Sequence, residues 1–339
     1  MKRTQTLKEL KLSRVSTETL RKFAEASVNF RQLESVKLYR IGYPDSDASS
    51  SDSEVFDDNS VSILFGKLNN IKSLSVQYCY DFDDATLNSF VSTTLLSIKL
   101  QDTSVTKESF VSFLRQSTQM QSIDLGDGTI SFTNAVLQTI AKYCKNLEKL
   151  RIQKCVKLQD TTRLKKVIRE CKVLECLVCP SSFTPRCFKE TLESLCKHNN
   201  TLKEFQYIAD DQLASNEEAR DFNVDAVAAA FNKFGQTFKD TLTTLKLSMH
   251  ASILKNVDFV LTLSSTFTSL EVLNLKGRVI MDESSLENTL KNNSKLKELK
   301  LNLVELTVKH CELINASGKQ LGLVDVSSYE GTMRFKCFR

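Results

Sequence analysis

Residues 270–275 read Leu270-Glu-Val-Leu273-Asn-Leu275, and residues 296–301 read Leu296-Lys-Glu-Leu299-Lys-Leu301. Both fit one frame, apolar-x-x-apolar-x-apolar. Carried outward, the frame recurs at Leu7–Leu10–Leu12, Leu33–Val36–Leu38, Ile71–Leu74–Val76, Leu95–Ile98–Leu100, Met120–Ile123–Leu125 and Leu147–Leu150–Ile152. It continues at Leu174–Leu177–Cys179, Leu202–Phe205–Tyr207 and Leu242–Leu245–Leu247, and closes at Leu321–Val324–Val326. Successive leading anchors lie 24 to 28 residues apart, save for two intervals of 38 and 40. In a chain that is 41% hydrophobic, so regular a recurrence is not chance. The second and third anchors are two residues apart, the spacing that sends strand side chains to one face while the residue between them points to the other.

The segments between the strands carry helical periodicity at 17–28, 84–91, 106–116, 134–143, 161–168, 185–196, 224–238, 253–261 and 282–290. Ser16, Asp84, Asp160 and Asp282 are residue types that cap helix N-termini. One strand and one helix per period predict an α/β leucine-rich-repeat solenoid of about 12 repeats, with a curved parallel sheet on the concave face and helices on the convex face. The expected organisation is a single domain spanning 1–339, with acidic inserts at about 44–60 and 209–225 where the two long intervals fall.

Bulk properties remove several function classes. The formal net charge of +5 is mild, and no stretch approaches the 18 apolar residues of a membrane span or signals secretion. The expectation is a cytoplasmic or nuclear protein whose ten cysteines are reduced thiols. The cysteines keep to the repeat. Cys144 and Cys171 stand three residues before a leading Leu, and Cys79 and Cys155 stand eight after a leading anchor, a place His250 takes in its own repeat. Cys179 replaces a third anchor, so these thiols are expected as small buried hydrophobes. Cys171, Cys176, Cys179 and Cys187 match an iron–sulfur spacing on paper. The register opposes it, sending Cys179 into the core and Cys176 to the concave surface. His198, His250 and His310 lack metal-ligand spacing, and no GxGxxG, Walker or GxSxG pattern occurs. No metal, no cofactor and no enzymatic activity are expected.

The stretch Ile140-Ala-Lys-Tyr-Cys-Lys-Asn-Leu-Glu-Lys-Leu-Arg-Ile-Gln-Lys-Cys155, followed by Leu158-Gln-Asp160, carries a more specific likeness. It resembles the cysteine-containing leucine-rich repeat of F-box substrate receptors and ribonuclease-inhibitor-like proteins. Weaker matches run over 167–179 and 74–87, so this signature covers about three repeats while the general repeat covers nearly the whole chain. The first strand begins at residue 7, which leaves no visible F-box and predicts an open first repeat with Leu10, Leu12 and Phe23 against water. The resemblance implies a protein-interaction scaffold, with substrate recruitment to an SCF-type ubiquitin ligase as its specific form. The alternative is a regulatory repeat protein unrelated to ubiquitin: a GTPase regulator, an inhibitor or a pathogen-recognition scaffold.

The concave face supplies the candidate contact residues. Between the second and third anchors stand Lys11, Lys37, Ser75, Lys99, Asp124, Arg151, Val178, Gln206, Lys246, Asn274, Lys300 and Asp325. Lys37, Tyr39, Lys99, Arg151, Val178, Gln206 and Lys246 are the expected partner-binding set: a partly basic floor, with an apolar patch at Cys176, Val178 and Pro180. One reading is that lysine simply solvates a strand face. The other is a groove for an acidic or phosphorylated protein segment, with Arg151 able to grip a carboxylate or phosphate bidentately. Apart from Tyr39 and Tyr207 no aromatics interleave with the basic residues, which argues against nucleic acid as partner. The insert Pro44–Asp58 holds six acids and no base, and Ser49 and Ser51, each with an acid three residues on, fit an acidophilic kinase. The insert Ala209–Asp225 holds six acids and one Arg.

Overall fold

The computed structural model describes residues 7–26, 32–41, 60–68, 70–90, 94–126, 134–153, 161–208, 223–248, 251–318, 320–327 and 332–336. The chain divides after Lys157 into two compact units. In the first, strands β1 (Glu9–Ser13), β2 (Ser35–Tyr39), β3 (Ser73–Cys79), β4 (Ser97–Thr103), β5 (Ser122–Leu125) and β6 (Lys149–Arg151) pair in sequence order, all parallel. Between them lie α1 (Thr17–Ala26), α2 (Ser60–Phe65), α3 (Asp84–Ser89), α4 (Lys107–Gln116) and α5 (Asn134–Tyr143).

The second unit opens with α6 (Thr162–Glu170), β7 (Cys176–Val178), α7 (Pro185–His198), β8 (Glu204–Ile208) and α8 (Val224–Phe238). It continues with β9 (Thr244–Ser248), α9 (Ala251–Leu254), α10 (Val257–Ser265), β10 (Val272–Val279), α11 (Glu283–Asn292), β11 (Glu298–Leu303), α12 (Val308–Ala316) and β12 (Leu323–Ser327). Strands β7 to β12 are parallel neighbours in order, and β13 (Thr332–Lys336) joins β12 antiparallel. Twelve parallel strands alternating with helices make this an α/β leucine-rich-repeat solenoid.

Sequence and packing agree repeat by repeat. Every anchor of the frame is buried except Leu7, which is 37% exposed, and Leu12, which is half-buried. Leu10, expected against water, is 7% exposed, because the β2 strand pairs beside it. The backbone locks neighbouring repeats with a recurrent device. Before most of the strands one carbonyl uses both lone pairs to accept two successive N–H groups of the next repeat. Lys8 O takes Glu34 N and Ser35 N at 2.9 and 3.0 Å, and Glu271 O takes Lys297 N and Glu298 N at 2.8 and 3.0 Å. Side chains at this position can pair across repeats, as in Lys72–Glu34 at 3.1 Å and Lys297–Glu271 at 2.6 Å.

Helix ends follow local chemistry. Asp282 caps α11, Thr106 caps α4 and Thr184 caps α7, each side chain accepting the N–H three residues on. For α3 the cap is Asp83 rather than the expected Asp84; Asp84 instead accepts both the N–H and the hydroxyl of Thr106 in the next repeat, at 2.6 Å each. The residue three before the leading anchor closes the preceding helix. Cys171, Asn199 and Asn293 are C-caps, and Cys144 N–H bonds Ile140 O at 2.9 Å. Asn199 shows why a polar residue suits this buried turn, since its amide donates to Leu174 O and accepts Thr201 N and Leu202 N.

Three helices depart from the periodicity reading. Helices α2 and α12 were not expected, and the single helix expected at 253–261 is two, because Asn256 accepts the N–H of Phe259 and starts α10 afresh. The 40-residue interval after Leu202 includes the 15-residue α8, whose Phe231 stacks on Phe259 with ring centroids 4.1 Å apart. Gly235 permits that helix approach, since a Cβ there would stand 3.0 Å from the Thr262 methyl.

Candidate protein-interaction surface

In the first unit the strand register puts Lys11, Lys37, Ser75, Lys99, Asp124 and Arg151 in one row across six strands. Adjacent members are a strand spacing apart, roughly 4.8 Å. Ser35, Ser73, Ser97 and Ser122 form the row beside them. Expected candidates Lys37, Lys99 and Arg151 therefore share one face, and Tyr39 lies on it two residues beyond Lys37.

The charges on that face are matched rather than uniformly basic. Lys37 Nζ reaches Glu9 at 2.8 Å, Lys11 reaches the same carboxylate at 3.5 Å, and Lys99 meets Asp124 at 3.4 Å. The hydrogen bond from Lys37 holds the Glu9 carboxyl below its ordinary pKa. The expected basic floor is thus a set of exposed ion pairs. The physical reason is the sheet's register, which seats Glu9 and Asp124 next to lysines of neighbouring strands.

At the carboxyl end of the same strands lies a cluster that periodicity did not single out. Arg40 stands over the ring of Tyr39 at 5.4 Å and of Tyr78 at 5.6 Å, and the two rings meet edge to face at 5.4 Å. Gln101 Nε2 donates to the Tyr78 hydroxyl at 2.8 Å. The backbone that presents them is unusual. Arg14, Arg40, Tyr78 and Asp102 all have positive φ, between 48° and 56°, and each sits two residues past a third anchor. Gly277 fills the equivalent place in β10 with φ 110°. Left-handed backbone is costly for residues bearing a Cβ. The ladder is what holds it, with Arg14 N donating to Tyr39 O and Arg40 N to Gln77 O at 2.9 Å. The signal for the cluster was in the sequence, as consecutive aromatic and Arg residues at the end of a strand, Tyr39-Arg40, and Tyr78 at the matching position.

The second unit continues the row differently. Val178 pairs with Gln206, Gln206 with Lys246, and Lys246 with Asn274. The apolar patch expected at Cys176, Val178 and Pro180 is not exposed: Cys176 and Val178 are 2% accessible and Pro180 is buried. Gln206 is 7% accessible and donates to Glu204 on its own strand. The short Cys176 and Val178 side chains stand in register beside the longer Glu204 and Gln206, which are tied to each other, and so present little area of their own. Val178 and Gln206 are corrected from surface contacts to packed positions. Lys246 remains half-exposed, and Lys300 on the same row bonds Glu298 at 2.7 Å.

The thiols pack as side chains of the core. Cys79, Cys144, Cys171, Cys176, Cys179 and Cys187 are free and buried. Burial pushes the Cys79 thiol up to about 11 and raises that of Cys179 further. Tyr207, a third anchor, buries its ring beside Phe188 and donates its hydroxyl to Phe183 O at 2.6 Å. Among the described residues no three His, Cys, Asp or Glu side chains converge on a site for a metal ion. Also among them, no helix is long and apolar enough to cross a membrane. Ser49, Ser51, Cys155, Asp160 and His250 lie outside the described residues, as does the insert at 44–58; of the second insert, Asn223 caps α8 and Asp225 accepts a hydrogen bond from Asn256.

No family model and no curated protein sequence matches the chain. Among solved structures it is similar to the yeast Rad7–Elc1 complex, at 13% identity and TM-score 0.48, over 83% of this chain and 76% of that one. It is also similar to an internalin, InlF, from Listeria monocytogenes, at 17% identity and TM-score 0.46, covering 95% and 81% of the two chains. A third similarity is to the PEPR1–AtPEP1 complex, at 13% identity and TM-score 0.33, over 96% of this chain and 42% of that one.

Proposed function

We propose that this protein is a non-enzymatic scaffold that binds a protein partner on the strand face of its repeats. The contact residues proposed in the first unit are Lys37, Tyr39, Lys99 and Arg151, joined by Arg40 and Tyr78; on the second unit's own strand face Lys246 is proposed separately. The observation that carries this reading is the Tyr39–Arg40–Tyr78 stack. Tyrosine and arginine are enriched among the residues that dominate the energetics of protein interfaces: tyrosine offers large contact area with two side-chain torsions to freeze, and arginine a planar, multiply donating guanidinium. The matched lysines suit exchange: an exposed ion pair is worth about 0–1 kcal/mol, so an acidic or phosphorylated partner segment can replace Glu9 or Asp124 at small cost.

The finer form of the proposal is recruitment of a substrate to an SCF-type ubiquitin ligase, in the cytoplasm or nucleus. Its support is the resemblance of the stretch from Ile140 to Cys155 to the cysteine-containing repeat. Ser49 and Ser51 are proposed phosphorylation sites on the acidic insert. The test is affinity purification from native cells of the wild type and of a Tyr39→Ala/Tyr78→Ala variant whose fold is checked by circular dichroism. The expected result is a partner held by the wild type and lost from the variant, with the F-box adaptor and a cullin among the co-purifying proteins. An unchanged set of partners in the variant rejects the strand-face reading. Absence of adaptor and cullin from both rejects the ubiquitin reading alone.

A further inference from the structure

The molecule's charge is not spread evenly. From Thr162 to Lys203 there are nine Lys or Arg and four Glu, a surplus equal to the +5 of the entire chain. The structure gathers much of it around a groove of about 450 Å³ between α6 and α7. One wall carries Arg163, Lys166 and Arg169, spaced three residues apart on α6 and so about 4.5 Å apart along its axis. Lys197 and His198 line it from the end of α7.

The carboxylates in the groove are already engaged. Glu190 accepts from Thr161 and from Lys165 at 2.9 Å and Arg186 at 3.1 Å, and Glu193 pairs with Lys189 at 3.1 Å. Among the described residues Arg163, Lys166 and Lys197 make no ion pair. The His198 imidazole is held below its ordinary pKa, first by desolvation and then by Lys197, Lys172 and Arg169.

We infer that the α6–α7 groove is a second binding surface, on the helix side of the second unit, for an acidic peptide segment of a protein partner. Its charge pattern selects that occupant over a polyanion. Cations line the α6 wall, whereas the α7 wall carries Glu190 and Glu193 before Lys197 and His198 at its end, so a strand carrying a charge at every position would meet carboxylates as well as cations. A peptide with carboxylates separated by neutral residues can address α6 alone. Among the described residues no Phe, Tyr or Trp lines the groove, and the His198 imidazole is its one ring, too few to stack successive nucleobases. The inference stands independently of the strand-face reading.

The test uses the full chain and a fluorescein-labelled peptide of five Glu-Ser repeats, followed by anisotropy at low and moderate salt. Binding is expected, weakening as salt rises because exposed charges are screened. Arg163→Glu/Lys166→Glu should lower affinity at least tenfold, whereas Lys22→Glu/Lys291→Glu, the same charge change elsewhere, should alter it by less than about threefold. A second readout is the NMR titration of His198, whose pKa should rise when the peptide occupies the groove. No binding at low salt, equal losses in the two variants, or an unmoved His198 overturns the proposal. Tighter binding of a ten-nucleotide oligo-dT, or of phosphatidylserine vesicles, overturns the peptide assignment.

Discussion

The lysines of the first unit's strand row and the β7–β8 positions of the second unit's occupy the same place in the repeat and meet water differently. Lys37 and Lys99 expose 48% and 38% of their side chains and lie in ion pairs, while Val178 and Gln206 are 2% and 7% accessible. Periodicity sets the direction of a side chain; its neighbours on adjacent strands set whether anything reaches it. Lysine extends past its neighbours into solvent, whereas valine and cysteine do not clear glutamate and glutamine standing beside them.

The sharpest way to break this comparison is to place a charge on each row. Val178→Asp should cost roughly 3–5 kcal/mol in urea denaturation, because it puts a carboxylate where the side chain is 2% accessible. Lys99→Asp should cost about 1 kcal/mol, since an exposed pair is lost and a solvent-screened repulsion with Asp124 replaces it. Similar costs at both positions would erase the distinction between the rows. Next come the anchors, which should behave alike in both units. Leu150→Ala and Leu273→Ala, each fully buried, should each lose about 2–5 kcal/mol through lost transfer energy and a cavity. A loss under about 0.5 kcal/mol at either would mean that its repeat packs loosely.

A smaller effect is pH-dependent and confined to the second unit. The hydrogen bond from Thr161, with those from Lys165 and Arg186, lowers the Glu190 carboxyl to about 2. A depressed folded pKa stabilises at pH above the unfolded carboxylate range and loses that contribution as pH falls toward 2. Glu190→Gln should therefore destabilise at pH 7 by about 1 kcal/mol, and the gap from wild type should close between about pH 4.5 and 2. A gap independent of pH would assign the loss to packing. The smallest effect is kinetic. Among the described cysteines, Cys196 and Cys311, half-buried, should react with a thiol reagent first, and Cys79 and Cys179 at least about tenfold more slowly, as buried neutral thiols do. Fast labelling of Cys179 would contradict its place as an anchor.

The fold was legible because leucine spacing and strand geometry share a period, so LxxLxL located all twelve parallel strands and the buried anchors. Helix caps were legible by residue type but not by exact position, as Asp83 and Asp84 exchange the expected role. Short α2 and the split at Asn256 were not legible: α2 follows an acidic insert with no apolar period, and the apolar residues of 253–261 run through Asn256 without a break in pattern. The strand face was legible as geometry only. Its ion pairs depend on which residues of neighbouring strands meet, and the Arg40 stack depends on a left-handed backbone that no apolar pattern encodes.

That left-handed position carries a consequence for how the molecule tolerates change. At Arg14, Arg40, Tyr78 and Asp102 the backbone takes a form that glycine adopts freely, as Gly277 does in β10. Replacing Asp102 by glycine should relieve backbone strain of the order of 1 kcal/mol. Replacing Tyr78 in the same way would relieve comparable strain but delete the ring that Arg40 leans on. Selection for heat resistance alone would push these positions toward glycine and strip that edge of its side chains. Keeping bulky residues there is then a preference for surface over robustness, written in backbone angles rather than in contacts.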